Sequence, residues 1–126
     1  MVTQDEVRQI ALALPGASEH PERFAFSVAN NGKEKGFAWV WNERVEPKKP
    51  RVPRPDVLAI RVTGEVEKQM LLEAEPEKFF TEPHYNGFPA ILVRLVAVDE
   101  AELRELLTDG WYCVAPAKLR SRMLKG

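Results

Sequence analysis

One cysteine, two histidines and no apolar run long enough to cross a bilayer leave this sequence little with which to do the commonest chemistries. The lone thiol, Cys113, cannot close an internal disulfide, so nothing in the chain asks for an oxidising compartment. The longest apolar stretch, PAILVRLVAV from Pro89 to Val98, is broken by Arg94 and falls well short of the roughly 20 residues a spanning helix needs. No membrane span is expected. Met1 followed by VTQDEVRQ shows neither a basic leader nor an apolar signal region, which leads to the expectation of a cytoplasmic protein. Catalytic words are missing too: there is no G-x-S-x-G, no phosphate-binding glycine loop, no H-x-x-x-H and no C-x-x-C. Neither an enzyme nor a metal or other cofactor is therefore expected. An excess of charge of one sign is also absent, since 18 Lys and Arg stand against 19 Asp and Glu, so bulk basicity gives no argument for nucleic acid.

What is present is one core's worth of apolar residues, 44% of 126, and the whole chain, 1–126, reads as a single domain. Thr3 followed by Glu6 is a capping box, and Val7, Ile10, Ala11 and Leu14 repeat at helical spacing until Pro15-Gly16. From Arg23 the period drops to two. Phe24, Phe26 and Val28 alternate, NNGKEKG turns the chain, and FAWVWN completes a hairpin. Next comes PKKPRVPRP, Pro47 to Pro55, whose prolines lack the amide a central ladder needs, so it reads as a connector to a third strand, DVLAIRV. Glu65 to Ala74 carries Val66, Met70, Leu71 and Ala74 at helical spacing, with a short turn expected at PEKFF. An Asn86-Gly87 turn precedes the apolar strand that opens at Ala90. Asp99 and Glu102 form a second capping box for a helix through Leu103, Leu106 and Leu107 that Gly110 is expected to interrupt, and a last helix opens at Pro116. Helices and hairpin-linked strands without strict alternation define an α+β fold with an antiparallel sheet packed against helices.

Charge is distributed unevenly. Lys33 to Arg61 holds eight cations and four acids, net +4, so everything else sums to −5. Lys33 and Lys35 at the hairpin, with Arg44, Lys48, Lys49, Arg51 and Arg54 in the connection, are candidate phosphate-binding residues. Prolines pre-order the connection and lower the cost of fixing its cations on a ligand, while the plainer reading is a stiff, solvated loop. Two such projections would straddle DNA. Phe37, Trp39 and Trp41 alternate onto one strand face. If that face is exposed and joined by Arg61 and Arg94, it is a stacking platform for a single strand; otherwise it is core. A second candidate is a ligand or protein-contact pocket around His84, Tyr85 and Asn86. His20 and His84, each near a carboxylate, suit capping or packing better than catalysis. Cys113 in an apolar helical segment reads as a small hydrophobe.

Four stretches in order carry a family resemblance: ALPGASE (Ala13 to Glu19), FAFSVANNGKEKGFAWV (Phe24 to Val40), EPEKFFTEPHYNGFPAILVRL (Glu75 to Leu95) and DEAELRELLTDGWYCVAPAKL (Asp99 to Leu119). Together they resemble the MmcQ/YjbR-like proteins. That resemblance implies a CyaY-like α+β domain, similar in shape to frataxins, in which the hairpin and the following loop form a double wing assigned to DNA binding. The acidic ridge that holds iron in frataxins is missing, because Asp5 and Glu6 are the only acids on the first helix and both suit a helix start. The expectation is a DNA-binding protein without enzymatic activity, contacting the phosphate backbone through two cationic loops.

Overall fold

The computed structural model describes residues 2–125. Thr3 accepts from the Glu6 amide and Glu6 reaches back to Thr3, so the expected capping box opens α1, Gln4–Leu12. The strands are β1 (Ala17–Glu19), β2 (Ala25–Asn30), β3 (Lys33–Glu43), β4 (Val52–Arg61), β5 (Phe79–Phe80) and β6 (Ala90–Arg94). They form one antiparallel sheet in the order β1-β2-β3-β4-β6-β5. Helices α2 (Glu65–Ala74), α3 (Glu100–Val114) and α4 (Ala117–Lys125) complete the α+β domain. Among the described residues no helix is long and apolar enough to cross a membrane.

Register explains the core. Phe26 pairs with Ala38, Ala38 with Ile60 and Ile60 with Ile91, and all four are buried in one cluster with Val7 and Ile10 of α1 and Leu103, Leu107 and Trp111 of α3. Residues paired across strands share a face, so this row is the helix-covered side. The row beside it, Ala25, Trp39, Ala59, Leu92 and Phe80, belongs to the opposite side, where a smaller apolar cluster forms around Tyr85.

Four local expectations change. The prolines do enter a strand: Pro53 pairs with Asn42 and Arg54 with Trp41, because pairing of β4 with β6 begins only at Val57 and leaves this half of β4 with an open edge, where a missing amide breaks no ladder bond. A bulge between Phe26 and Ser27 on the β2–β3 ladder turns Phe37 into the helix-facing core, away from Trp39 and Trp41. Helix α2 has the expected bounds and a different buried face, since Val66 and Met70 are exposed and Lys68 is buried. Phe79 and Phe80 form an edge strand where a turn was expected.

Helix α3 also runs through Gly110 to Val114. A β-carbon at Gly110 would lie 2.9 Å from Ile60 Cγ2 and 3.2 Å from the carbonyl oxygens of both Arg61 and Phe37. The glycine lets α3 touch the sheet backbone. Gly110→Ala is accordingly expected to destabilise the fold by about 1–3 kcal/mol through overpacking, despite the roughly 1 kcal/mol that alanine gains in a free helix. Urea unfolding measures the sign, and a stabilised variant would show that the contact is loose.

Candidate nucleic-acid interface

The hairpin turns on Asn31 and Gly32, at φ 56° and 76°, the pair of left-handed residues that a two-residue turn requires. Lys33 and Lys35 therefore already lie on β3, paired with Asn30 and Val28. Val28 is in the helix-facing core, and Asn30 Nδ2 donates to the Val114 carbonyl at 2.9 Å. Both lysines consequently sit on the helix side of the sheet, beside the junction of α3 and α4. From that junction α4 brings Lys118, Arg120 and Arg122 without an acid among its residues. Among the described residues none of these five cations takes part in an ion pair. Lys35, Arg61 and Arg120 line one hollow of about 480 Å³ together with Asn30, Gly36, Cys113 and Val114. The Cys113 thiol is pushed up by burial, which suits the inert role its sequence suggested.

The proline-rich connection lies elsewhere. It follows Glu43, at the far end of the eleven-residue β3, about 30 Å from Lys33 at ordinary strand rise. Its cations are largely engaged: Arg54 Nε donates to Glu43 Oε1 at 2.6 Å and Lys49 meets Glu46 at 3.3 Å. Arg44 donates to the carbonyls of Pro47 and Lys49, and Arg51 to that of Asn42, bonds that leave their charges unneutralised. Lys48 is exposed and has no ion-pair partner among the described residues. Arg54 pairs with Trp41 and so occupies the open side of the sheet, whereas Lys33 and Lys35 occupy the helix side. The two cationic sets are thus not brought together.

On the open side Trp39 and Trp41 are half-buried, a state between the core and the platform readings. Trp39 Nε1 donates to the Tyr85 hydroxyl at 3.0 Å, and Trp41 stands edge-on to Phe80 at 5.3 Å. Arg94 lies over Phe80 at 4.2 Å and Arg61 over Phe88 at 5.6 Å. Of the suggested pocket, Tyr85 is buried as a plug while His84 and Asn86 are exposed. Buried Lys68 pins this segment, its Nζ donating to the carbonyls of Tyr85 at 2.5 Å and Phe88 at 3.1 Å. Burial lowers the Lys68 pKa and raises that of Tyr85. A hollow of about 330 Å³ opens next to Trp39, lined by Ala25, Ser27, Gly36, His20, Arg23 and Glu34 among others and by none of His84, Tyr85 or Asn86. His20 Nδ1 accepts from the Glu22 amide, a capping role. Among the described residues no three acidic, histidine or cysteine side chains gather as a metal site would need.

The sequence reading placed Arg61 only with the tryptophan face, and it left Lys118, Arg120 and Arg122 out of the candidate interface. The acid-free run KLRSRMLK was visible, but its placement depends on the Asn30–Val114 bond, which joins positions 84 residues apart.

These features define the class: a single α+β domain whose six-stranded sheet is covered by helices on one side and carries a cationic hairpin at one end. The chain belongs to the YjbR family, whose model matches residues 12–113. It is 32% identical over 120 residues to uncharacterized protein Rv2570 of Mycobacterium tuberculosis (strain ATCC 25618 / H37Rv), covering 94% of this chain and 93% of that protein. Uncharacterized protein Mb2600 of Mycobacterium bovis matches to the same extent. The crystal structure of Deinococcus radiodurans protein DR2400, a DUF419 domain, superposes with a TM-score of 0.68 at 22% identity, over 98% of this chain and 88% of that one. The shared fold is that of DR2400.

Proposed function

We propose that this chain is a nucleic-acid-binding domain without catalytic activity, holding DNA by phosphate contacts at the hairpin–α4 end of the sheet. One observation carries the reading: Lys35 on the hairpin and Arg120 on α4, 85 positions apart in sequence, line one hollow at this end of the sheet, with Lys33 beside the first and Lys118 and Arg122 within two residues of the second, and none of the five has an ion-pair partner among the described residues. Unpaired cations are the ones that can exchange small counterions for phosphates. With a net charge of −1, the rest of the surface is acidic in balance and orients a polyanion toward this end. Such contacts fix position and register without reading bases. The proline-rich loop, with Arg54 and Lys49 already matched, acts as a secondary contact rather than as the second member of a clamp.

Fluorescence anisotropy with labelled duplex and single-stranded DNA across a salt series tests this directly. About five phosphate contacts give a slope of log affinity against log salt near −4.5 on duplex and near −3.5 on a single strand. Absence of binding at low salt, or binding indifferent to salt, would end the proposal. A second reading, a small-ligand or protein-contact site on the open face, is favoured by the 330 Å³ hollow beside Trp39. It is separated from the first by persistence at high salt, because apolar contacts are screened far less than phosphate contacts.

A further inference from the structure

Past Ala38, which faces Ile60, the first residues of β3 extend beyond the end of β4, and the junction of α3 and α4 closes the notch beside them. Three cations line this recess: Lys35 from the hairpin, Arg61 from the last position of β4 and Arg120 from the first turn of α4. Both arginines stand over aromatic rings, Arg61 over Phe88 at 5.6 Å and Arg120 over Tyr112 at 5.2 Å, contacts that limit where each guanidinium can go. The Nε atoms of Arg61 and Arg120 are buried and neither has a hydrogen-bond partner among the described residues. Buried donors are nearly always satisfied, and charged ones strongly so. Both arginines line the recess, and neither side chain has a hydrogen-bond or ion-pair partner among the described residues, so each retains guanidinium donors for an acceptor that enters it. Glu67 and Asp109 line the adjoining hollow with Arg61 and are not within ion-pair distance of it.

We propose that this recess is a discrete site for a terminal phosphate group, the phosphomonoester of a small ligand or of a nucleic-acid end, held between Arg61 and Arg120 with Lys35 at the rim. A phosphomonoester offers three terminal oxygens and close to two charges at neutral pH, enough to accept from both guanidinium groups and the ammonium together. A backbone phosphodiester carries one charge and two free oxygens, so the site favours an end over an interior linkage. At about 480 Å³ the hollow is wide enough for a phosphate and part of the group that bears it. The assignment does not depend on strand binding: a chain that fails to bind a DNA backbone can still take a phosphomonoester here.

Calorimetric titration of the full chain with inorganic phosphate, in chloride buffer of constant ionic strength, is the primary test. Saturable one-site binding is expected, weakened about tenfold or more by Arg120→Gln and by Lys35→Gln. Lys35 is exposed on the hairpin, so its variant reads the site without endangering the fold. Two further arms identify the source. A nucleoside 5′-monophosphate binding as tightly as a 5′-phosphorylated oligonucleotide indicates a free phosphomonoester, and a 5′-phosphorylated oligonucleotide outcompeting both its 5′-hydroxyl twin and the mononucleotide indicates a nucleic-acid end. Phosphate no better than chloride, or both variants binding it as the parent does, overturns the site. The salt slope of the 5′-hydroxyl oligonucleotide reports backbone binding separately, so the two proposals fail by different readings.

Discussion

Replacing Trp111 by alanine is expected to lower the free energy of unfolding by about 3–5 kcal/mol, the range for removing a large buried aromatic. The side chain is fully buried in the last turn of α3, and its Nε1 donates to the Pro15 carbonyl at 2.8 Å. That carbonyl lies beyond the end of α1, where no helical amide remains to satisfy it, so the indole fixes the chain at the point where it leaves α1 for β1. Alanine removes the packing and the donor together. Trp111→Phe keeps most of the volume and loses only the donor, so it separates the two parts at roughly 1–2 kcal/mol. A domain of this size has about 5–15 kcal/mol in total, and the alanine variant should melt roughly 10–20 °C lower. Far-ultraviolet circular dichroism in urea is the suitable probe, since the substitution removes one of the three tryptophans that fluorescence would follow. A loss below about 1 kcal/mol would mean that the core closes around the gap or that Pro15 finds another donor.

How much of this was legible beforehand depends on the distance over which each residue is decided. The capping boxes at Thr3–Glu6 and Asp99–Glu102 are both formed, because each is settled within four residues, whereas the turn expected over NNGKEKG narrows to Asn31-Gly32 and leaves Lys33 to Gly36 on β3. Bounds of α2 were readable from spacing; its orientation was not. Lys68 is buried because carbonyls 17 and 20 residues further on need a donor, and a helical wheel holds no information about them. Gly110 looked like a stop because glycine weakens isolated helices, yet in place it permits the closest approach of α3 to the sheet. The same limit governs the site. Composition exposed the cations of Pro47 to Pro55, but pairing with Glu43 and Glu46 engages two of them, and a single bulge together with the hairpin register decides which side Lys33 and Lys35 face. Sequence shows where charge is plentiful, and only tertiary pairing shows where it is uncommitted.

That distinction yields the largest expected effect on binding. A variant with Lys33, Lys35, Lys118 and Arg122 all changed to glutamine removes four unpaired cations from the hairpin–α4 end while leaving the recessed Arg61 and Arg120 intact. Counterion release assigns each lost duplex contact about 0.9 of a unit, so the salt slope should flatten by roughly 3–4 units, with affinity at low salt falling at least about a hundredfold. The matched variant with Lys48, Lys49, Arg51 and Arg54 changed to glutamine removes the same formal charge from the other end of β3. Its slope should move by only about two units, for Lys48 and Arg51, because Arg54 and Lys49 already have carboxylate partners. Loss of Arg54 leaves the half-buried Glu43 without its partner and loss of Arg51 leaves the Asn42 carbonyl without a donor, so this second variant should show itself in a lower melting temperature instead. Both proteins carry the same net charge, which removes long-range attraction as an explanation for any difference between them. Equal flattening by the two would mean that DNA senses only total charge, and flattening by the loop variant alone would move the interface to the proline-rich end.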